Sequence, residues 1–364
     1  MRAAAALVLV AMAAVAVAAA AEPEWRRITG PPELSFPRDH GAHLDVRTEW
    51  WYLTAILRDD GGAVYGVQAT FFRRGLDPGA ADPAASPLRA RHLLAGHLAV
   101  ADVSSGRFAH AERLRRAAGG LAGVATDDLD VFIGDWSLAR TADGVLRVSA
   151  VAREEGIGVD LELRPKGPPI LHGDAGYSRK GADPGNASAY VSWPRLEVGG
   201  TLRLGDRVVD VTGGAWFDHE WGTSQLGEGV AGWDWFSLRL DDGRSLMVYR
   251  LRREDGSPSR FSSGTLVEAE GAVRRLDLDD VDLEVTDTWE SPTTGGRYPS
   301  GWRLRVPDAG IDLSVRPLLL AAELDARAST GTVYWEGPVA ATGSHAGEGY
   351  VEMTGYAGSM AGVF

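Results

Sequence analysis

Residues 49–73 read EWWYLTAILRDDGGAVYGVQATFFR, and this stretch decides the fold. Glu49 to Leu57 and Val64 to Arg73 are runs of aromatic and β-branched residues, the side chains that suit a pleated, largely buried surface. Asp60-Gly61-Gly62 between them supplies turn residues at hairpin distance. The expectation is an antiparallel hairpin, and the same pattern continues on both sides of it.

His92 to Val103 (HLLAGHLAVADV) reads as a further strand, followed by Val131 to Arg140, Val145 to Arg153 and Gly158 to Arg164. The last of these alternates apolar and charged residues, V-D-L-E-L-R, with the period of two that a strand requires. Ala142-Asp143-Gly144 is another turn signal. Helical periodicity is weak everywhere, with Ala111 to Leu121 expected as one short helix. Pro165 to Tyr190, which holds Pro168-Pro169 and Gly181 to Gly185, is expected as a long loop of the kind that often forms a lid or rim.

A second β series opens near Gly232. It takes in Trp233 to Leu240, Ser245 to Arg252, Val281 to Thr286 and Gly301 to Val306, then Ile311 to Pro317, Gly331 to Val339 and Gly349 to Tyr356. Its opening echoes the first series. Trp51-Tyr52 leads to Asp59-Asp60-Gly61 and then Val64-Tyr65, as Trp235-Phe236 leads to Asp241-Asp242-Gly243 and then Val248-Tyr249. That echo points to two barrel-like halves built from a duplicated unit. Many short strands with few helices place the chain in the all-β class.

Composition narrows the setting. The chain has 364 residues and a formal net charge of −13, with no basic run of the kind a nucleic-acid footprint needs. It has no cysteine, which excludes disulfides, thiol catalysis and cysteine-ligated zinc. Residues 1–21 combine Arg2, an apolar stretch from Leu7 to Val17 and the small residues Ala18 to Ala21, the pattern of a cleavable secretory signal. A periplasmic or secreted protein is expected, with no membrane span once that signal is removed. The expected organisation is a signal at 1–21, a linker at 22–35, one domain at 36–226 and a second at 227–364.

Two motifs carry chemistry. The first is Gly213 to Gly222, GGAWFDHEWG, followed by Gly232-Trp233-Asp234-Trp235-Phe236. Strand alternation puts Phe217, His219 and Trp221 on one face and Asp218 and Glu220 on the other. An imidazole among aromatic rings is either a general acid or base, since its pKa lies near neutrality, or a core histidine satisfied by a hydrogen bond. The second motif is Arg38 to Asp45, RDHGAHLD, followed by Thr48-Glu49-Trp50-Trp51-Tyr52. His40, His43 and Asp45 offer three metal-ligand types, but this spacing outside a helix is a weak signal, and the sequence is read as holding no metal and no cofactor. Glu49 among aromatics must be paired or protonated, as an acid catalyst or as a bridge to an arginine. No nucleophile elbow, P-loop or dinucleotide fingerprint is present.

The stretches FPRDHGAHLDVRTEWWY (Phe36 to Tyr52), WFDHEWGTSQL (Trp216 to Leu226), GWDWFSLRLDDG (Gly232 to Gly243), YPSGWRLRVP (Tyr298 to Pro307) and YWEGPV (Tyr334 to Val339) resemble the AttH/carotenoid 1,2-hydratase family. The resemblance spans nearly all of the chain after the signal. It implies two tandem lipocalin-like antiparallel β-barrels packed together, with a ligand cavity near their junction. Hydratases of this family add water to a terminal double bond of an acyclic carotenoid. Their His-x-Trp pair falls at His219 and Trp221, and their functional tyrosine at Tyr249. Their aspartate just after that tyrosine has no counterpart, because the chain reads Tyr249-Arg250-Leu251.

The combined expectation is a periplasmic lipocalin-like protein that binds a hydrophobic isoprenoid, carotenoid or lipid, with an ABC-transporter or export system as a further partner. Two enzymatic alternatives stand beside it, a hydratase-type lyase and a secreted hydrolase. The candidate catalytic residues are His219, Asp218 and Glu49. The candidate ligand-binding residues are Trp50, Trp51, Tyr52, Trp221, Trp233, Trp235, Tyr249, His40, His43 and Glu220.

Overall fold

A computed structural model describes residues 24–79, 84, 86, 88–224 and 226–360. The expected signal at 1–21 lies outside the described residues. The chain is all-β, with two antiparallel sheets packed together. One is a 13-stranded sheet built between residues 48 and 222 and curled into a nearly closed barrel; the other is a 10-stranded half-barrel between residues 230 and 354. Among the described residues no helix is long and apolar enough to cross a membrane.

The opening hairpin forms as its sequence directs, with Thr48–Arg58 paired to Val64–Gly75. On its other side Thr48–Arg58 pairs with Arg207–Gly222, the last long strand of the sheet. The second sheet repeats the arrangement. Val230–Leu240 pairs with Ser245–Arg253 on one side and with Gly347–Thr354 on the other. In both halves the last strand returns beside the first, which curls the sheet back on itself.

Two expectations are corrected. Residues Ala111 to Leu121 are not helical, since Arg107–Arg116 is a strand paired with His92–Asp102. Sheet pairing there overrides a weak local helical preference. Pro165 to Tyr190 is not one structureless loop either. Ile170–Leu171 and Tyr177–Arg179 lie as short strands against Ala187–Leu204, an 18-residue strand whose length the prolines and glycines upstream concealed.

The three largest apolar clusters among the described residues follow from this layout. Trp51, Leu53, Phe71, Trp136 and Phe217 fill the interior of the first barrel. Phe236, Trp302 and Trp335 belong to the core of the second sheet. The third cluster lies between the sheets and includes Tyr52, Ile56, Tyr190, Trp216, Trp235 and Tyr249. Thr48–Arg58 therefore buries both of its faces, which explains why EWWYLTAIL is apolar nearly throughout instead of alternating. The sheets can close on each other at residue 66 only because it is glycine. A Cβ there would lie 2.5 Å from the Tyr350 hydroxyl and 2.6 Å from Pro338 Cγ.

Candidate functional site

The two faces of Arg207–Gly222 give two different polar assemblies. The register is uninterrupted from Thr48↔Gly222 to Arg58↔Thr212, so alternation holds through the motif. Phe217, His219 and Trp221 point to one side, Asp218 and Glu220 to the other.

On the first side Glu49, fully buried, is the hub. Its Oε1 lies 2.8 Å from His43 Nδ1 and 2.9 Å from His219 Nε2, and its Oε2 accepts from Arg73 Nε at 2.8 Å. His43 Nε2 lies 3.0 Å from Asp39 Oδ1. His43 stacks on Trp221 with 3.8 Å between ring centroids, and His219 stacks on Trp51 at 5.0 Å. Burial works to raise the Glu49 pKa, but the Arg73 charge and the bonds to His219 and His43 hold it well below the usual carboxylate range. Burial also opposes a charge on His43, yet its bonds to Asp39 and Glu49 prevail and raise its pKa. At His219 burial prevails over Glu49, and the pKa is lowered. The assembly is an ion network, Arg73 and His43 against Glu49 and Asp39, that seats residues 39–46 on the barrel. It is also where ligand atoms converge, with His43, Glu49 and His219 offering atoms within 4.8 Å of one another. The trio weighed from sequence does not converge in this way. Asp45 is on the surface, bonded to Arg26 at 2.5 Å, and His40 is stacked on Phe36 and tilted against Trp193.

The second side opens into a cavity of about 510 Å³ at the junction of the sheets. That volume lies within the roughly 300–1,000 Å³ usual for small-molecule sites. Trp50, Tyr52, Trp233, Trp235 and Tyr249 line it, joined by Tyr190, Phe72 and Leu251. The interior of the first barrel, by contrast, is packed with side chains, so the ligand-sized space lies outside that barrel and beneath the second sheet.

Four carboxyl groups reach the cavity wall: Asp218, Glu220, Glu336 and Glu352. Asp218 accepts from Tyr190 Oη at 2.6 Å, Trp216 Nε1 at 2.5 Å and the Ser192 hydroxyl. Burial nevertheless prevails over these three donors, and its pKa is raised to about 7. Glu220 is held by Lys180 and Ser188. Glu352 accepts from Trp233 Nε1 at 3.0 Å; burial and the charges of Asp218 and Glu220 raise its pKa to about 7. Glu336 accepts from Tyr52 Oη at 2.5 Å, and burial first, then the Glu352 charge, push its pKa well above the carboxyl range.

The structure thus divides the sequence candidates. Trp50, Tyr52, Asp218, Glu220, Trp233, Trp235 and Tyr249 meet at the cavity, whereas Glu49, Trp51, His40, His43, His219 and Trp221 do not line it. Sequence reasoning missed Lys180 and Tyr190, which lie in or at the end of the supposed loop. It also missed Glu336 and Glu352, although a carboxylate inside the apolar YWEGPV was a usable signal. A Ser–His contact appears as well, Ser192 Oγ to His172 Nε2 at 2.6 Å. It does not form a hydrolase triad, because the other nitrogen of His172 meets Thr265 at 2.8 Å instead of a carboxylate, and Ser192 does not line the cavity.

The AttH-like family model matches residues 27–356. A crystal structure of an AttH from Nitrosomonas europaea superimposes with a TM-score of 0.82 at 37% identity, covering 91% of this chain and 99% of that one. Kievitone hydratase from Nectria haematococca superimposes with a TM-score of 0.67 at 15% identity, covering 92% and 97% respectively, a likeness of fold. No curated protein matches the chain.

Proposed function

The chain belongs to the AttH-like family, and from that premise we propose that its junction cavity takes a hydrophobic small molecule of isoprenoid or lipid type and adds water to one of its double bonds. The observation that carries the reading is Asp218, a carboxyl with a pKa of about 7 on the wall of an aromatic cavity. Protonation of an alkene needs an acid that still holds its proton near neutral pH, and burial provides one here.

In the proposed step the alkene π pair takes the Asp218 proton to form a C–H bond, leaving a cation on the adjacent carbon. The faces of Trp235 and Tyr52 stabilise that cation as they do other cations. A water oxygen then bonds to the carbon and gives up its proton to the Asp218 carboxylate. The acid is restored, and the net change is addition of water. Tyr190 supports the cycle by donating to Asp218 while accepting from Trp235 Nε1 at 3.0 Å. His219, which the family resemblance marked for this chemistry, lies on the other face of the strand and holds Glu49 instead. An exported location is part of the same proposal and rests on the Arg2, Leu7 to Val17 and Ala18 to Ala21 pattern.

The test is native mass spectrometry with lipid extraction on protein purified from its own host, followed by incubation of the extracted ligand in ¹⁸O-water. A co-purifying unsaturated lipid or isoprenoid that gains one labelled water is expected. A ligand-free protein, or a ligand returned unlabelled, would overturn the binding or the hydration part in turn.

A further inference from the structure

Glu336 presents a feature that the hydration step does not use. It stands in Thr332–Gly343, directly across from Glu352 in Gly347–Thr354, so two carboxyl side chains are cross-strand neighbours on one face. Glu336 is 1% exposed, and its Oε1 is taken by Tyr52 Oη from the other sheet. Its Oε2 is buried and meets no hydrogen-bond partner, although the side chain is part of the cavity wall. An ionised carboxylate left this way would hold its charge with a single hydrogen bond, buried beside a second acid, which is unfavourable. A neutral carboxylic acid instead has one O–H left to give, from an oxygen that no protein group engages, on a residue of the cavity wall.

We propose that Glu336 is a neutral hydrogen-bond donor that seats the polar end of the cavity ligand, and that this end is an uncharged oxygen acceptor such as a ketone or ether oxygen. The proposal rests on the junction cavity being the ligand site. It deepens that reading by naming the ligand class: a largely apolar molecule with a neutral oxygen near Glu336, and neither a fatty-acid anion nor an amine. The neighbouring groups fit this choice. Glu352 beside it and Asp218 across the cavity disfavour an incoming carboxylate, and Lys180 is already engaged by Glu220 and Ser188. Tyr334 and Tyr350, on the same two strands, have pKa values raised well above the ordinary phenol range, first of all by burial, so both remain neutral. Tyr52, a donor to Glu336 Oε1, leaves the acid proton on Oε2, the oxygen without a protein partner.

Glutamine is the useful probe. In Glu336→Gln the amide oxygen can still accept from Tyr52 and the amide N–H₂ can donate into the cavity, reproducing the neutral acid. Glu336→Leu removes the donor. Displacement of the neutral dye N-phenyl-1-naphthylamine at pH 7.5 would rank dodecan-2-one, 1-dodecene, dodecanoate and dodecylamine on all three proteins. The expected result is that the ketone binds the wild type about 3–10-fold tighter than the alkene, the range of one neutral hydrogen bond. Glu336→Gln should keep that preference, Glu336→Leu should lose it, and dodecanoate should bind weakest. Dodecylamine as the tightest ligand, abolished by Glu336→Gln, would show an ionised Glu336 and overturn the proposal, as would tight dodecanoate binding.

Infrared spectroscopy reads the same proton without any ligand. At pH 8.5 the wild type should retain a protonated-carboxyl C=O band that Glu336→Gln loses, and absence of that band in the wild type overturns the inference. Failure of the dye to bind any of the three proteins, with the band present, would instead count against the cavity as a ligand site. The glutamine variant and the infrared band keep the test decisive should the leucine variant not fold.

Discussion

Asp218 and His219 are consecutive residues that face opposite sides of one strand, Asp218 to the junction cavity and His219 to Glu49 at 2.9 Å. On the proposed reading, the side chain that a sequence motif makes most conspicuous is a structural one, and its less conspicuous neighbour serves the cavity. His219→Ala should lower stability by about 2–4 kcal/mol in urea unfolding, through the volume removed and the bond lost at Glu49. Affinity for a neutral probe in the cavity should stay within about twofold, since His219 itself does not line the cavity. Loss of turnover at unchanged stability would place His219 back in the chemistry.

Asp218→Asn tests the opposite face through pH. Asp218 has a folded pKa of about 7 against 3.8 for the free side chain. The sign follows from proton binding: the folded state holds the proton more tightly, so this contribution to stability is complete below 3.8 and is lost as pH rises through 7. The gap is worth about 4 kcal/mol. Wild-type stability measured relative to Asp218→Asn should therefore decline between pH 4 and pH 8. Turnover of the wild type should fall as pH passes 7, and the variant should lose roughly 10²–10⁴-fold. A stability difference that does not vary with pH would remove Asp218 as the acid.

The two motif tryptophans should separate in the same way. Trp235 lines the cavity and donates to Tyr190, whereas Trp221 is stacked on His43 away from it. Trp235→Ala should weaken ligand binding by about 2 kcal/mol, roughly 30-fold. Trp221→Ala should leave binding nearly unchanged while costing about 3–5 kcal/mol of stability. Titration of a neutral dye beside chemical unfolding of both variants decides the matter, and the reverse assignment would relocate the site.

The fold was legible where local rules govern. The 49–73 hairpin, the alternation of residues 217–221 and the echoed opening of the second half all follow from strand period and turn chemistry. What was hidden depended on partners far away in the chain. Arg107–Arg116 is a strand because His92–Asp102 is beside it. Tyr190 reaches the cavity because Ala187–Leu204 begins inside the expected loop, and Lys180 because Tyr177–Arg179 pairs with that strand just before it. At the site, alternation divided Asp218 from His219 correctly but could not say which side held the space. That was set by where the second sheet packs, a long-range fact with no local signal. Glu336 shows a remaining opportunity, since a lone acid in an apolar strand must have a reason to be there.

Acid lability is the last expectation, and Glu49 sets it. Its folded pKa lies well below the usual value, so the stability it contributes is present above about pH 4.5 and is lost as pH falls through the folded pKa. His43 acts in the other direction. Its raised pKa means that its contribution is present below 6.5 and fades as pH rises through the folded value. The network is therefore strongest in mildly acidic to neutral solution, with Glu49 ionised and His43 protonated together. Glu49→Gln leaves Arg73, itself fully buried, without its counter-ion and should cost about 3–5 kcal/mol at pH 6. Because the variant has no carboxylate to protonate, its acid limb between pH 6 and pH 3 should also be flatter than that of the wild type. Urea midpoints across that range measure both effects. Acid limbs that run parallel would show that Glu49 is not the group whose protonation loosens the barrel.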